Sequence, residues 1–191
     1  MSGWVAIVPL KLGPMAKSRL SGALTAGERN SLALLMAGHV LRTLAETAQI
    51  TTVVLVSPEP CDFPATEWIR DEGRGLNAEL AAARNHFAGR SVLMIHGDLP
   101  TLAVQDVAAL IVAAENAGHA LAPDAALQGT NAIAIATSQN FTPVFGIASF
   151  ARHRTLLPNA AIVQRDGLAN DLDNLENLTH RNVAAILAAV R

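Results

Sequence analysis

The sequence predicts one α/β domain that spans residues 1–191, with a mixed, mostly parallel sheet covered by helices on both faces. Short apolar runs such as Trp4–Pro9 and Ser91–His96 alternate along the chain with segments of helical periodicity such as Thr25–Ala48. Continuously apolar strands separated by helices are typical of a parallel sheet that is buried on both sides. A chain of 191 residues can bury one such core, and it contains no internal repeat, low-complexity tract or linker.

The first half of the chain alternates between strands and helices. Thr25 and Glu28 have the spacing of a capping box, which marks the start of the first helix. The short β-branched run Thr52–Ser57 indicates a strand, and the stretch Pro58–Asp71, rich in proline and acidic residues, indicates a loop. The elements predicted here are the strand Trp4–Pro9, the helix Thr25–Ala48, the strand Thr52–Ser57, the helix Asn77–Ala88 and the strand Ser91–His96.

The second half continues the same alternation. The predicted elements are the helix Ala103–Ala117, the strands His119–Pro123 and Asn131–Thr137, the helix Ser149–Leu157, the strand Ala160–Gln164 and the helix Leu175–Val190. In open α/β sheets, ligands bind beyond the carboxyl ends of the strands. Residues that directly follow strands are therefore the candidates for function.

The composition argues against several classes of protein. The formal net charge is -2 and charged residues make up 16% of the chain, which gives no electrostatic reason to expect nucleic acid or an anionic membrane as a partner. No apolar stretch is long enough to cross a bilayer, and Met1–Trp4 lacks the basic start of a signal peptide. Cys61 is the single cysteine, which excludes an intrachain disulfide. We expect a cytoplasmic protein.

The first candidate site follows the first strand and is basic. Lys11, Lys17 and Arg19 fall within nine residues, in a chain that contains 14 lysines and arginines. A loop after the first strand is where mononucleotide-binding folds hold phosphates, and these side chains can pair with a triphosphate. The segment is neither a P-loop nor a G-x-G-x-x-G turn, so neither of those mechanisms is supported. A solvated loop with ordinary surface charge is the alternative interpretation.

The second candidate site is Asp98, which follows the strand Ser91–His96. Its position places a carboxylate at the edge of the sheet where ligands bind. Mg²⁺ binds through a few carboxylates together with phosphate oxygens, so Asp98 is a candidate metal ligand. The alternative is that Asp98 begins a turn or caps the next helix.

The third candidate site is the pair Asp171 and Asp173, near the end of the chain. In an extended segment, side chains two residues apart project to the same side, and Leu172 then turns toward the core. Paired carboxylates repel each other unless a cation neutralises them, so the pair forms a plausible metal cluster with Asp98. A polar turn before the last helix is the alternative.

The fourth candidate site consists of small residues at the starts of predicted elements. Thr130 precedes a strand, and Gly146 and Ser149 precede or begin a helix. Such positions leave backbone N–H groups open, and Ser149 could cap a helix whose N-terminus binds a phosphate or a carboxylate. Ordinary turn and cap chemistry is the alternative. His96 and His153 could act as bases, but a structural or exposed role is the more common one for such histidines.

Taken together and in this order, these segments resemble the CofC/FbiD family of guanylyltransferases, from Trp4 to about Leu178. Each match is short, but the ordered set is specific. The matching residues are Val8-Pro9-Leu10-Lys11, Lys17-Ser18-Arg19-Leu20, Gly75-Leu76-Asn77, Asp98-Leu99-Pro100, Pro123-Asp124, Gly129-Thr130-Asn131, Phe145-Gly146, Ser149-Phe150, His153 and Asp171-Leu172-Asp173.

The resemblance implies a Rossmann-like fold of the kind found in nucleotide-diphospho-sugar transferases and molybdenum-cofactor nucleotidyltransferases. It also implies an activity, the transfer of GMP from GTP to a small three-carbon phospho-acid with release of pyrophosphate. Members of the family use 2-phospho-L-lactate, phosphoenolpyruvate or 3-phospho-D-glycerate as the acceptor. Their reaction belongs to the biosynthesis of coenzyme F-420.

The resemblance further implies roles for individual residues. Asp98, Asp171 and Asp173 would hold magnesium (Mg²⁺), and Asp98, Lys17 and Lys11 would carry catalysis. The nucleotide would be bound by Lys11, Lys17, Arg19, Gly75 and Asn77. The acceptor acid would be bound by Thr130, Gly146 and Ser149.

Three other functions stay open at this stage. The chain could be a nucleotidyltransferase for another nucleotide, such as CTP, or for a molybdopterin- or sugar-phosphate acceptor. It could be a GTP-binding paralogue without turnover, although a binder has no need of three carboxylates. It could also be an interaction protein whose apolar helices pair in a homodimer, which is compatible with catalysis. Fold alone does not establish any of these functions.

Overall fold

A computed structural model of the chain describes residues 3–13, 16–64, 66–136 and 141–172. Within these ranges the chain alternates between strands and helices, and a short 3-10 turn, Ser18–Leu20, follows the first strand. In chain order the elements are β1 (Trp4–Pro9), α1 (Ala26–Ala45), β2 (Ile50–Ser57), β3 (Glu67–Arg70), α2 (Leu76–His86), β4 (Val92–Ile95), α3 (Val104–Ala117), β5 (His119–Pro123), β6 (Thr130–Ile135), α4 (Ser149–Leu156), β7 (Ala161–Ile162) and α5 (Asp166–Ala169).

The strands form one mixed sheet with the order β3-β2-β1-β4-β6-β5-β7. The first four strands in this order are parallel to one another, with Ile7 of β1 opposite Val54 of β2 and Met94 of β4. β6 runs antiparallel to both β4 and β5, and β7 is parallel to β5. The predicted fold class, a mixed and mostly parallel sheet, is therefore confirmed.

Helices cover the sheet on both faces because successive strand residues point in opposite directions. On one face, Ala6 and Val8 of β1 belong to a core cluster with residues of α1 and α3, among them Val40 and Leu110. On the other face, Ile7 belongs to a second cluster with residues of α2 and α4. Among the helices in the described ranges, none is both long and apolar enough to cross a lipid bilayer.

Apart from shifts of one or two residues at other ends, the elements differ from the sequence prediction in three places. The predicted loop Pro58–Asp71 contains the edge strand Glu67–Arg70, in which Trp68 donates from Nε1 to the Ser57 carbonyl oxygen at 3.2 Å. The four-residue helix Asp166–Ala169 was not predicted. The first helix ends at Ala45 instead of Ala48, although its predicted capping box is present. The predicted helix Leu175–Val190 lies outside the described residues.

Candidate functional site

A cleft of about 890 Å³ opens at the carboxyl ends of the four neighbouring parallel strands. Its walls are the segments that follow β1, β2, β3 and β4, and this is the edge of the sheet where the sequence places the candidate residues. The volume lies in the range of small-molecule binding sites. The residues that the sequence predicts for a nucleotide or metal site and that line the cleft are Lys11, Lys17, Arg19, Gly75 and Asp98.

The basic loop after β1 is held in place by the first two turns of α1. Arg29, which is 8% exposed, donates from Nε to the Ala16 carbonyl oxygen at 3.0 Å and from Nη1 to the Leu24 carbonyl oxygen at 2.9 Å. Asn30 accepts from the Gly13 backbone N–H at 3.0 Å through Oδ1. These contacts fix the backbone that carries the three cationic side chains at the cleft.

Lys17 connects the basic loop to Asp98 across the cleft edge. Its ammonium forms an ion pair with Oδ2 of Asp98 and donates to the Leu172 carbonyl oxygen at 2.7 Å. Burial by itself would raise the pKa of Asp98, but the Lys17 ammonium and the His96 ring outweigh it, so that the pKa is lowered. Asp98 is therefore a carboxylate at neutral pH.

The carboxylate oxygens at this edge are of the kind that a magnesium ion binds. Oδ1 of Asp98 is buried and has no hydrogen-bond partner among the described residues, which leaves one carboxylate oxygen for a cation. The Leu172 backbone N–H donates to the Asp98 carbonyl oxygen at 3.0 Å, which brings the neighbouring Asp171 to the same edge. Asn131 donates from Nδ2 to Oδ1 of Asp171 at 3.4 Å.

The third expected metal ligand, Asp173, lies outside the described residues. Within the described ranges, no group of three or more acidic, histidine or cysteine side chains could hold a metal ion. Leu172 is buried at 1% exposure beside Leu20 and Met36, as the predicted alternation of the Asp171–Asp173 segment requires. The structure thus brings two of the three predicted carboxylates to one edge of the sheet.

Gly75 and Asn77 occupy the start of α2, but they have different surroundings. Gly75 is the residue before the helix and lines the cleft, with a φ of 93° that favours glycine. Asn77 does not line the cleft. Its Nδ2 donates to the Phe145 carbonyl oxygen at 3.1 Å, and its Oδ1 accepts from the Phe145 N–H at 2.7 Å. The amide of Asn77 is thus used to bind backbone from another part of the chain.

The loop before α2 is organised by Glu79, a residue that the sequence analysis did not single out. Glu79 is 2% exposed and accepts the backbone N–H groups of Glu72 at 3.1 Å and Arg74 at 2.9 Å. The Arg74 guanidinium donates to the same carboxylate at 3.0 and 2.7 Å. Hydrogen bonding with Arg74 outweighs burial and lowers the pKa of Glu79 to about 2. In the sequence, the five-residue spacing between Arg74 and Glu79 was the signal that could have identified this ion pair.

Thr130, predicted to bind the acceptor, is 2% exposed and contacts a histidine. Nδ1 of His153 lies 3.0 Å from Oγ1 of Thr130, and Nε2 of His153 accepts from the Val144 backbone N–H at 2.9 Å. Burial, with smaller effects of Arg152 and His96, lowers the pKa of His153 to about 4. Neutral His153 therefore carries its proton on Nδ1 and donates to Thr130.

Gly146 and Ser149 belong to one tight turn that leads into α4. Gly146 has a φ of 110°, and its carbonyl oxygen accepts from the Ser149 N–H at 3.0 Å. The expectation that Ser149 caps the helix is wrong, because Ala148 holds the capping position and no side chain makes a cap hydrogen bond. Ser149 is instead the first helical residue and is 1% exposed.

The acceptor-side residues adjoin the cleft through two contacts. The His96 ring lies in the cleft wall and packs against Phe145 with a centroid distance of 5.1 Å. Asn77, two residues beyond Gly75, binds the Phe145 backbone. The two predicted groups of residues, for nucleotide and for acceptor, are thus neighbours in the fold, although they lie far apart in the sequence.

The sheet order and the cleft at its carboxyl edge define a fold that this chain shares with solved structures. A crystal structure described as a nucleotide-diphospho-sugar transferase, from Desulfovibrio desulfuricans G20, has a TM-score of 0.69 to this chain. The two chains are 14% identical, and the comparison covers 100% of this chain and 99% of the other. At this identity the likeness shows the shared fold.

Residues 4–161 match the family described as guanylyl transferase CofC like, and the chain belongs to this family. It is similar to the phosphoenolpyruvate guanylyltransferase of Sphaerobacter thermophilus, with 35% identity over 91% of this chain and 90% of the relative. The phosphoenolpyruvate guanylyltransferase of Chloroflexus aggregans is 34% identical over 90% of this chain and 93% of the relative. The resemblance stated from the sequence is therefore confirmed, and the chain is a nucleotidyltransferase.

Proposed function

We propose that this chain transfers GMP from GTP to the phosphate group of a small three-carbon phospho-acid and releases pyrophosphate. The observation that carries the proposal is the cleft, in which Lys17 of the basic loop pairs with Asp98 after β4. Two relatives are named for phosphoenolpyruvate, so this acid is the first acceptor to test. 2-Phospho-L-lactate and 3-phospho-D-glycerate are the other candidates, and the reaction would belong to coenzyme F-420 biosynthesis.

The charge distribution in the cleft supports a nucleoside triphosphate as the donor. Lys11 and Arg19 are exposed in the cleft wall, and with Lys17 they offer three cations to a chain of phosphates. The walls after β2 and β3 contribute Pro58, Asp71–Gly73 and Gly75. These segments carry apolar surface, carboxylates and backbone groups that can contact a base and a ribose.

Magnesium belongs to the proposal because the donor atoms fit it. The ion would be held by Asp98, through its unpartnered Oδ1, and by Asp171. Asp173, which lies outside the described residues, would be the third ligand. When bound, magnesium neutralises phosphate charge as a Lewis acid. Lys17, displaced from its pair with Asp98, would then contact the phosphates of the donor.

The proposed step is a direct displacement at the α-phosphorus of GTP. An oxygen of the acceptor phosphate forms the new bond to that phosphorus, while the bond to the bridging oxygen breaks and pyrophosphate leaves. The attacking oxygen is already anionic at neutral pH, so the step requires no strong general base. Catalysis then rests on alignment and on charge stabilisation, which Lys11, Lys17 and Arg19 provide for the departing pyrophosphate.

The acceptor would be bound by Thr130, Gly146 and Ser149. His153 donates to Oγ1 of Thr130, so the Thr130 hydroxyl keeps its own proton for donation to a ligand oxygen. The positive φ of Gly146 opens the backbone of the turn. These groups are donors or small residues, which suits a carboxylate and a phosphate on a small acid.

The test measures pyrophosphate release by the purified full-length chain with GTP, Mg²⁺ and each of the three acids in turn. Mass spectrometry then looks for the product in which the acid is joined to guanosine diphosphate. We expect release with phosphoenolpyruvate and a matching product mass. No release with any acid, but release with CTP or ATP, would replace the proposed donor with another nucleotide.

A matched pair of variants connects this activity to the cleft. Asp98→Asn retains the shape of the side chain and removes its charge, and we expect turnover to fall by at least about 100-fold. Asp62→Asn is the control, because Asp62 is an exposed residue that does not line the cleft. Near-normal turnover by Asp98→Asn would contradict the proposed role of Asp98.

A further inference from the structure

The side chain of Asn77 makes a two-point contact with backbone that lies 68 residues away. Its Nδ2 donates to the Phe145 carbonyl oxygen, and its Oδ1 accepts from the N–H of the same residue. Both hydrogen-bonding ends of the amide are therefore directed at one peptide segment. Asn77 does not line the cleft, although Gly75, two residues earlier, does.

The segment that Asn77 binds has no regular secondary structure between residues 141 and 148. Arg152, from the exposed side of α4, also donates to the Phe145 carbonyl oxygen, at 3.1 Å. Among the described residues, however, the Phe145 N–H has Asn77 as its partner. Asn77 joins this part of the loop to the start of α2, whereas Arg84, further along the same helix, donates to the Phe141 carbonyl oxygen at 3.5 Å. Gly146 and Ser149 follow Phe145 closely in the chain.

We propose that Asn77 is a positioning residue that couples the nucleotide side of the site to the acceptor side. It is the second residue of α2, directly after Leu76 and two residues after Gly75, so a nucleotide that orders Gly75 also fixes Asn77. Asn77 in turn fixes Phe145 and hence the turn that carries Gly146 and Ser149. This role replaces the direct nucleotide contact that the sequence suggests for Asn77, and it rests on the proposed function.

The coupling is a free-energy link between two ligands, and it must therefore be reciprocal. A bound GTP analogue would strengthen binding of the acid, and the acid would strengthen binding of the analogue by the same factor. Loss of the Asn77 amide would leave the nucleotide contacts in place, while the Phe145 backbone before the acceptor turn loses its hydrogen bonds to α2. The acid would then bind weakly whether or not the nucleotide is present.

The experiment compares Asn77→Ala with Asn85→Ala, which changes an exposed asparagine on the same helix. Calorimetry gives the Kd of α,β-methylene-GTP and of phosphoenolpyruvate, each alone and in the presence of the other, with Mg²⁺. For Asn77→Ala we expect about a tenfold higher Kd for the acid, a nucleotide Kd within about twofold, and no mutual strengthening. A nucleotide Kd that rises as much as the acid Kd would overturn the proposal in favour of direct contact.

Amide hydrogen exchange of the ligand-free protein gives a readout that does not depend on the proposed function. We expect faster exchange of the Phe145 N–H in Asn77→Ala and in the milder variant Asn77→Ser, and unchanged exchange in Asn85→Ala. Unchanged exchange in both Asn77 variants would overturn the anchoring role. If the wild-type chain binds neither ligand, the proposed function fails and the coupling with it, whereas the exchange result still decides the anchoring.

Discussion

Lys17 and Asp98 form an ion pair in which the side chains are 11% and 20% exposed. Removing one partner of such a pair leaves the other charge partly buried and uncompensated, which costs more than the pair itself contributes. We predict that Lys17→Met lowers the free energy of unfolding at pH 7 by about 2 kcal/mol. This cost is smaller than that of breaking a fully buried pair, because solvent reaches both side chains. Urea denaturation of the full chain measures this change.

The control for this prediction is a double-mutant cycle with Asp98→Asn. In the Asp98→Asn background the carboxylate charge is absent, so Lys17→Met should cost about 1 kcal/mol less than in the wild-type background. Equal costs in the two backgrounds would mean that Lys17 stabilises the chain through packing or through its bond to the Leu172 carbonyl oxygen, and not through Asp98.

His153 predicts a pH dependence of stability. In the folded chain its pKa is about 4, whereas the ordinary value is 6.5, so between these values the unfolded chain binds more protons. Stability should therefore decrease as the pH falls from about 6.5 to about 4, by up to about 3 kcal/mol across the whole window. Urea denaturation at several pH values measures the slope.

His153→Gln removes this titration, and its pH slope in that window should be flatter than that of the wild type. His86→Gln is the matched control, because His86 is an exposed histidine at the end of α2 and not a buried one. If His153→Gln keeps the wild-type slope, the acid sensitivity arises from other groups. The KM of the His153→Gln variant for the acceptor should also rise, because Thr130 loses the donor that orients its hydroxyl.

At the scale of the elements, Glu79 determines the conformation of the loop before α2. The carboxylate accepts two backbone N–H groups and the Arg74 guanidinium, and Glu79→Gln preserves its shape while removing its charge. We predict a loss of about 2 kcal/mol in the free energy of unfolding at pH 7. The KM for GTP should rise about tenfold with little change in kcat, because loss of uniform binding acts on KM.

Acid should remove the difference between wild type and Glu79→Gln. The pKa of Glu79 is about 2 in the folded chain and 4.5 ordinarily, so its stabilising effect is complete above about 4.5 and fades as the pH falls toward 2. Denaturation curves at pH 7 and pH 3 test this, with Glu67→Gln, an exposed change on β3, as control. A difference that persists undiminished at pH 3 would contradict an electrostatic cause.

The elements that the sequence predicts well are those with a strong local signal. β1 was predicted with its bounds, and α1 with its capping box, because apolar runs and cap spacing are local features. β3 was missed because Glu67–Arg70 is only four residues long, begins and ends with a charged residue and is mostly exposed, and its strand conformation depends on pairing with β2. α5 is only four residues long, too short to show a helical period.

The candidate site follows the same division between local and long-range information. The position of Asp98 at the sheet edge follows from its place after a strand, and the basic loop follows from its composition. The partners of Asn77 and Thr130 cannot be inferred from local sequence, because Phe145 and His153 lie 68 and 23 residues away. Sequence can name such residues through resemblance, but the contact that gives each its role requires the fold.

At the scale of the whole molecule, one continuous sheet connects the two halves of the chain. β4 lies at its centre with β1 beside it, β3 lies at one edge, and core clusters on both faces contain residues from both halves. The cleft spans the carboxyl ends of β3, β2, β1 and β4. Its walls therefore unfold together only if the sheet unfolds as one cooperative unit. The single domain predicted for residues 1–191 remains a prediction that unfolding experiments can test.

The two tryptophans are placed to report on this cooperativity. Trp4 in β1 is 3% exposed, and Trp68 in β3 is 40% exposed. In Trp68→Phe the fluorescence reports on β1 in the interior of the sheet, and in Trp4→Phe it reports on the edge strand β3. Within each variant, we predict that fluorescence and far-ultraviolet circular dichroism give the same urea midpoint, as two-state unfolding requires. Because each variant serves as its own reference, any stability lost by the substitution cancels.

A bound nucleotide adds a stricter form of the same prediction. GTP with Mg²⁺ at 100 times its Kd should stabilise the folded chain by about 2.7 kcal/mol. If the sheet unfolds as one unit, the midpoint reported by Trp68 at the edge shifts together with the circular dichroism, and the same holds for Trp4. A ligand shift seen by only one tryptophan would mean that β3 and the nucleotide-binding walls unfold separately, and would contradict a single cooperative domain.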